Sequence, residues 1–454
     1  MMLELDEQLI AEQLENCHPF RAAGKLQSVQ GAITVSIPAS IGELVQIQYR
    51  NGGTCLAEVI GFSGDLVQIM PFGSSQTLQR SDQVISLGRQ MKIPVGYGLQ
   101  GRVINAIGEP IDGLGPLKHS GFASVDTDPP SALSRQPIKE VFATGQRAID
   151  GLLTLGKGQR VGLFAGSGVG KSTLLGQIAC HAQSDLNVVA LIGERGREVL
   201  PFIEDALGPG GMARSVVIVS TANESPLARV RAAESAITIA NWFRRQNKNV
   251  LLMLDSLTRF AMAQRDLGLM LGEPPTSRGY TPSVFQKMAV ILEQLGNSDR
   301  GSITGILTVL VEGDDMNDPV ADSARSILDG HIVMDRVLAN AGHFPAINTL
   351  PSASRLFHEL ADGSHSSTAR CIRQILTRYA DVVDLVQVGA YQSGVSRETD
   401  AAIALYPQVC KFLQQDLGSP SSIEKTKSWM DELAGKWSAA STTGAKGAKG
   451  DRIA

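Results

Sequence analysis

The stretch "RVGLFAGSGVGKSTLLGQIACHA", Arg160 to Ala182, constrains this chain more than any other. An apolar run of strand length leads into a glycine-rich turn and then into a segment with helical period. Such a turn points backbone N–H groups inward, and the helix behind it adds the positive end of its dipole, so the unit reads as a phosphate cradle. The usual pattern is G-x-x-x-x-G-K-[ST], and its first position here is Ala165. A methyl group is tolerated there as long as φ stays negative, because only a positive φ demands glycine. Gly166, Ser167, Gly168, Val169, Gly170, Lys171, Ser172 and Thr173 are the candidate nucleotide-binding residues. Lys171 is expected to reach the β- and γ-phosphates, Ser172 to offer its hydroxyl to Mg²⁺, and Thr173 to present its N–H to the α-phosphate.

Hydrolysis at such a loop needs carboxylates and further positive charge. "NVLLMLD" is an apolar strand ending in Asp255, where an α/β sheet places ligand-binding groups, and Asp255 is the candidate Mg²⁺ carboxylate. It also stands where an acid would cap the helix that follows. "VVALIGE" ends in Glu194, which becomes a candidate general base if its strand neighbours that of Asp255. The alternative for Glu194 is a loop ion pair with Arg195 or Arg197. Phosphoryl transfer gains from an arginine supplied by a neighbouring subunit, and Arg325, Arg336 and Arg355 are the candidates. Arg355 in "LPSASRL" follows a turn expected at the far edge of the sheet, yet the residues alone do not rank the three.

The 454 residues exceed one ordinary core and divide by pattern. Residues 25–92 carry short alternating runs such as "LVQIQY" and "DLVQIMPF" separated by Gly turns, which predict a β-barrel. A Gly- and Pro-rich bridge over 93–150 precedes alternating β and α patterns from Val161 to Leu350, the mark of a parallel sheet covered by helices. The fold class is therefore α/β, with a core over 93–360 and a helical domain over 361–438. Residues 439–454 are small, polar and Gly-rich and predict a disordered tail. In the arm 1–24, Leu3, Ile10, Leu14 and Cys17 share one helical face, which docks on the barrel or serves a partner.

A net charge of −4 and the lack of interleaved basic and aromatic residues argue against nucleic acid as a partner. Five scattered cysteines without a C-x-x-C pair read as thiols in a reducing compartment, and no His/Cys spacing suggests zinc. No apolar run approaches the ~20 residues of a membrane span. The N-terminus has no basic and apolar leader, so the expected location is the cytoplasm.

Longer runs carry a resemblance. "DSLTRFAMAQRDLGLMLGEPPTSRGYTPSVF" (Asp255–Phe285), "GERGREV", "DPVADSARSILDGHIVMDR", "GHFPAIN" and "SASR" occur in order, and across residues 25–435 the chain closely resembles the type III protein-export ATPases. That family comprises the flagellar export ATPase and its injectisome relatives and is similar to the catalytic subunits of rotary ATP synthases. Ala at position 165 is common in it. The resemblance implies a RecA-like ATPase core between the barrel and the helical domain, assembled as a homohexamer with ATP and Mg²⁺ at subunit interfaces. It implies Glu194 as catalytic base, Lys171 and Ser172 on phosphate and Mg²⁺, Asp255 on the Mg²⁺ side, and Arg355 as the finger into the neighbour's site. Phe344 in "GHFPAIN" matches an aromatic that lies against adenine, with core packing as the alternative. "GEPPTSRGY" looks like the loop facing the ring axis, where a coiled-coil stalk protein would touch it.

The other partners implied are a stator-like regulator at the N-terminus, export-gate membrane proteins and chaperone–substrate complexes, with the ring held peripherally at the inner-membrane export apparatus. Two positions depart from the family pattern, Thr281 and Gln294, and bear on the shape of the interface rather than on the chemistry. Flagellar export is the preferred system and injectisome secretion the alternative. A non-catalytic ring subunit is disfavoured by Glu194. A rotary synthase subunit is disfavoured by the "DSLTRFAMAQRD" run and by the lack of an acidic segment after the core, and an RNA-translocating ring by the charge.

Overall fold

The alternating runs close into a six-stranded barrel: β1 (Ala23–Ser28), β2 (Ile33–Val35), β3 (Glu43–Gln48), β4 (Thr54–Ser63), β5 (Leu66–Pro71) and β6 (Gln83–Gln90), in the order β1-β2-β5-β4-β3-β6. Every neighbouring pair is antiparallel. Val35, Val45, Ile47, Ala57, Val59 and Val84 are buried inside, and closure removes the edges such short strands would expose. The structure, a computed structural model, describes residues 21–28, 33–73, 78–80, 82–125, 129–311 and 318–442. The stripe of Leu3, Ile10, Leu14 and Cys17 and the last residues of the tail lie outside these. The barrel begins at Ala23, within the segment expected to be the arm.

Behind it lies a sheet built from β7 (Val103–Asn105), β8 (Arg160–Ala165), β9 (Leu186–Glu194), β10 (Ser215–Thr221), β11 (Asn249–Asp255), β12 (Ser302–Leu310), β13 (Gly330–Met334) and β14 (Ile347–Ser354). Their order is β14-β13-β8-β12-β11-β9-β10-β7. All pairs are parallel except β13–β14, and a short Gly296–Asn297 strand adds antiparallel to β12. Strands buried on both faces read as unbroken apolar runs, and every residue of β9 is buried. β7 falls in the stretch read as a bridge, because three residues are too few to show a period.

The helices that place the site are α1 (Lys171–His181), α2 (Pro226–Arg245), α3 (Leu257–Met270) and α4 (Pro282–Glu293). Ser225 and Ser256 cap α2 and α3 by accepting from Ala228 N and Arg259 N. The C-terminal helices are α5 (Gly363–Gln387), α6 (Arg397–Leu413) and α7 (Ile423–Thr442). Ile372, Val409, Phe412 and Met430 share one core with Leu175 and Ile178 of α1, so the helical domain packs directly behind the phosphate loop. Arg373 reinforces this seam by donating to Leu152 O at 2.9 Å and Thr349 O at 2.8 Å. α7 runs to Thr442, so residues 439–442, expected in the disordered tail, are helical; Trp437, 7% exposed, anchors this end. No helix among the described residues is long and apolar enough to cross a membrane.

Candidate functional site

The glycine loop joins β8 to α1 at the carboxyl end of the sheet, where α/β folds bind ligands. Ala165 is still in the strand, paired with Leu310, and keeps a negative φ, so the missing glycine costs the turn nothing. The left-handed positions are Gly168 (φ 79°) and Gly170 (φ 87°). Nothing lies within 4 Å of where a Cβ on Gly168 would stand, so its need for glycine is conformational. Ser167, Gly168, Ser172 and Thr173 are exposed on a cleft of about 710 Å³ that Lys171, Glu194, Arg259 and Arg336 also line.

β11 lies next to β9, which brings Asp255 and Glu194 to the same end of the sheet. Asp255 is 2% exposed, accepts from Thr308 Oγ1 at 2.7 Å and holds the Lys171 ammonium. It does not cap α3; Ser256 does. Glu194 lies 3.6 Å from Lys171 Nζ and 3.4 Å from Arg259 Nε. Arg195 and Arg197 pair instead with Glu198. The register of β9 slips between Ile192 and Glu194, a bulge at Gly193 (φ 67°) that re-aims the carboxylate. A Cβ on Gly193 would stand 2.8 Å from Arg259 Cδ, so this glycine also admits the arginine.

Arg259 is the site residue that sequence reading missed. It stands in the first turn of α3, four residues beyond Asp255, and a helix entering from a strand end directs that turn over the sheet's carboxyl edge. Burial raises the Glu194 carboxyl above its ordinary range, against the pull of Lys171 and with the push of Asp255. Its buried Oε1 has no hydrogen-bond partner, and neither has Arg259 Nε.

A second cleft, of about 500 Å³, opens behind the loop between Val169, Gly170 and Thr173 on one side and Phe344, Pro345 and Gln414–Leu417 on the other. Phe344 is 48% exposed, which rules out plain core packing, and a Cβ on Gly170 would stand 3.6 Å from its ring. Gln415 fixes that wall: its N–H donates to Phe344 O at 2.9 Å and its Nε2 to Gly145 O at 2.7 Å.

The three arginines part company. Arg336 lines the chain's own phosphate cleft, whereas Arg355 follows edge strand β14 and donates to Arg325 O at 3.0 Å. Thr281 and Gln294 are buried, at 0% and 6%, and Gln294 accepts from Asn241 Nδ2 at 3.0 Å. The two departures thus lie inside the chain's own core.

The donor set fits a magnesium nucleotide. Hard oxygens of Ser172 and Asp255 suit Mg²⁺, the cleft offers four cationic side chains (Lys171, Arg195, Arg259, Arg336), and an orphaned carboxylate oxygen faces them. No cluster of three or more metal-ligating residues occurs among the described residues.

Residues 145–354 match the ATP synthase alpha/beta family nucleotide-binding domain, residues 24–88 that family's β-barrel domain, and residues 361–432 the T3SS EscN ATPase C-terminal domain. The flagellum-specific ATP synthase of Bacillus subtilis (strain 168) is 46% identical over 94% of this chain and 99% of its own. The type 3 secretion system ATPase of Xanthomonas euvesicatoria is 45% identical over 89% of this chain and 92% of its own. Among solved structures, assembled EscN from the enteropathogenic E. coli type III secretion system superposes with a TM-score of 0.85 at 42% identity, covering 90% of this chain and all of that one. EscN in complex with its central stalk EscO gives 0.83 at 42% identity, again over 90% of this chain and all of the other.

Proposed function

The chain belongs to the ATP synthase alpha/beta family, in its branch of flagellum-specific and type III secretion ATPases, and we propose that this ATPase drives type III protein export as a homohexamer. The observation that carries the catalytic part is Glu194, buried beside Lys171 and Arg259 with an oxygen that ion-pairs at long range but makes no hydrogen bond. Its raised pKa suits a base that takes a proton from the attacking water near neutral pH. Lys171 moves from Asp255 onto the phosphates, exchanging one anion for another. Ser172 and Asp255 hold Mg²⁺, which supplies charge neutralisation to the phosphates when bound. Arg259 holds Glu194 in place, Phe344 packs on adenine, and Arg355, outside its own cleft, reaches the neighbour's.

The export assignment rests on the C-terminal match over 361–432, which distinguishes this chain from rotary relatives. Flagellar export is the preferred system and injectisome secretion the alternative, the two kinds of relative being about equally similar at 46% and 45% identity. In this reading the ring works in the cytoplasm at the inner-membrane export apparatus, handing substrates from chaperones to the export gate. A coiled-coil stalk fills its axis at the 272–280 loop and a stator-like regulator meets its N-terminus. The test is secretion in the source cell carrying Glu194→Gln. Loss of flagellin and hook protein from the medium is expected. Intact filaments with lost effector secretion would assign the injectisome, and normal secretion of both would end the export reading.

A further inference from the structure

On the far side of the wall that carries Phe344 lies a second, smaller cavity of about 220 Å³, between β14, α5 and α6. Its lining is apolar, with Leu338, Ile347, Leu376 and Val383 against Tyr406 and His343. Tyr379 and Tyr406, both on its lining, stack face to face with centroids 3.5 Å apart and planes 8° from parallel, so they stand as one rigid aromatic pair in its wall. His343 is 7% exposed and its buried Nε2 has no hydrogen-bond partner. A buried polar atom without a partner is costly, and a ligand that supplies one recovers that cost. Burial also lowers the pKa of His343, favouring the neutral ring, and in the tautomer protonated at Nδ1 its Nε2 is an acceptor. Cavities of ~150 Å³ lined by aliphatic residues accept benzene, so 220 Å³ suffices for one or two fused rings.

The wall is two-sided. Gly342, Phe344, Pro345 and Ala346 line the base cleft, while His343 and Ile347 of the same segment line the cavity. At the end of α6 the division repeats, with Leu413 on the cavity and Gln414 to Leu417 on the cleft. Gln415 N–H to Phe344 O joins these two segments, so the wall moves as one piece.

We propose that this cavity is a regulatory site for a small planar aromatic bearing one N–H or O–H donor, whose occupancy braces the wall and tightens nucleotide binding in the neighbouring cleft. The ring packs against the Tyr379–Tyr406 pair and its donor meets His343. With the wall braced, the nucleotide base meets a Phe344 already in place, and the ordering cost of binding falls. The coupling, though not the site, rests on the cleft being the nucleotide site.

Indole is the probe, with the full-length chain. Calorimetry should show saturable one-to-one binding, and the Kd of a fluorescent ATP analogue should fall about fivefold at saturating indole, with the reciprocal effect of nucleotide on indole. Ala380, exposed at the cavity's rim, is replaced by tryptophan to plug it. Ala380→Trp should bind nucleotide normally and lose both indole binding and coupling, and His343→Leu should weaken indole binding. Absence of saturable binding to the native protein, or equal binding to Ala380→Trp, overturns the site. Indole binding that leaves nucleotide affinity unchanged overturns the regulation. If the analogue fails to bind even without indole, the nucleotide assignment of the cleft falls, while calorimetry still judges the cavity.

Discussion

Two buried ion clusters, one at the barrel seam and one at the phosphate loop, use the same residue types to opposite ends. At the seam, Arg231 of α2 forks onto Glu58 of β4, and Glu234 takes both Arg231 and, at 2.7 Å, Lys287 of α4. Both carboxylates are nearly buried and both are engaged by cations. At the loop, Lys171, Asp255, Glu194 and Arg259 are also packed together, yet Glu194 Oε1 and Arg259 Nε, 3.4 Å apart, make only a long ion pair and no hydrogen bond. A satisfied network holds parts together, whereas a half-satisfied one stores an interaction for something that arrives.

The largest effect should come from the unsatisfied cluster. Glu194→Gln keeps the shape and removes the proposed base, so phosphate release should fall about 10²–10⁴-fold while ATP still binds. Single-turnover phosphate assays with parallel nucleotide-binding measurements check this, and full activity would show the orphaned oxygen to be incidental. The satisfied cluster should answer differently. Arg231→Ala leaves Glu58 and Glu234 buried with reduced partnership and should cost about 3–5 kcal/mol in urea unfolding. Replacing Glu58 and Arg231 together by leucine and methionine should recover most of that, because a buried pair is often matched by apolar packing. A double variant as unstable as Arg231→Ala would break the comparison.

The loop cluster also has a place for a charge from outside the chain. Arg355→Ala and Glu194→Gln proteins, each inert alone, should recover activity when mixed during assembly. In a heterologous ring about a quarter of the sites then combine an intact Glu194 with an intact Arg355 from the neighbour. Arg336 lines its own cleft, so mixing Arg336→Ala with Glu194→Gln should recover nothing. Recovery with Arg336→Ala and none with Arg355→Ala would exchange the roles assigned to them.

The legible parts of this molecule are those in which local pattern and burial agree. β8, β9 and β11 are buried on both faces, so their apolar runs are legible, and Glu194 and Asp255 stand at strand ends while Lys171 opens the helix after β8. β7 did not stand out, because three residues joining a sheet edge carry no period. Arg259 was hidden in a helix, where nothing distinguishes it from a solvated charge until the bulge at Gly193 is seen making room for it. The base cleft was half legible. Phe344 is legible by resemblance, but the rest of its wall comes from the chain just past α6, far along the sequence; Gly418 N–H there donates to Gln177 Oε1 across 241 residues. Thr281 and Gln294 are unusual by resemblance, yet only the fold shows that both are core residues.

The smallest effect is one of stability, and it tests whether the loop cluster is strained by its lack of partners. Burial raises the Glu194 carboxyl, so the folded protein favours the neutral form more than the unfolded chain does. The stabilisation this brings is present below the ordinary carboxylate range and is lost as pH rises through the raised value. At neutral pH without nucleotide, the folded protein therefore carries the cost of a buried, incompletely paired carboxylate. Glu194→Gln abolishes the titration, so its Tm should exceed that of the native protein by a few degrees at neutral pH, and the gap should close towards acidic pH. The same shift should move the acid limb of the native turnover profile above the range of an exposed glutamate. ATP should reverse the order, because only the native carboxylate gains by polarising the attacking water. A Glu194→Gln protein less stable at neutral pH would mean that Lys171 and Arg259 already satisfy Glu194, and the two clusters would then be alike.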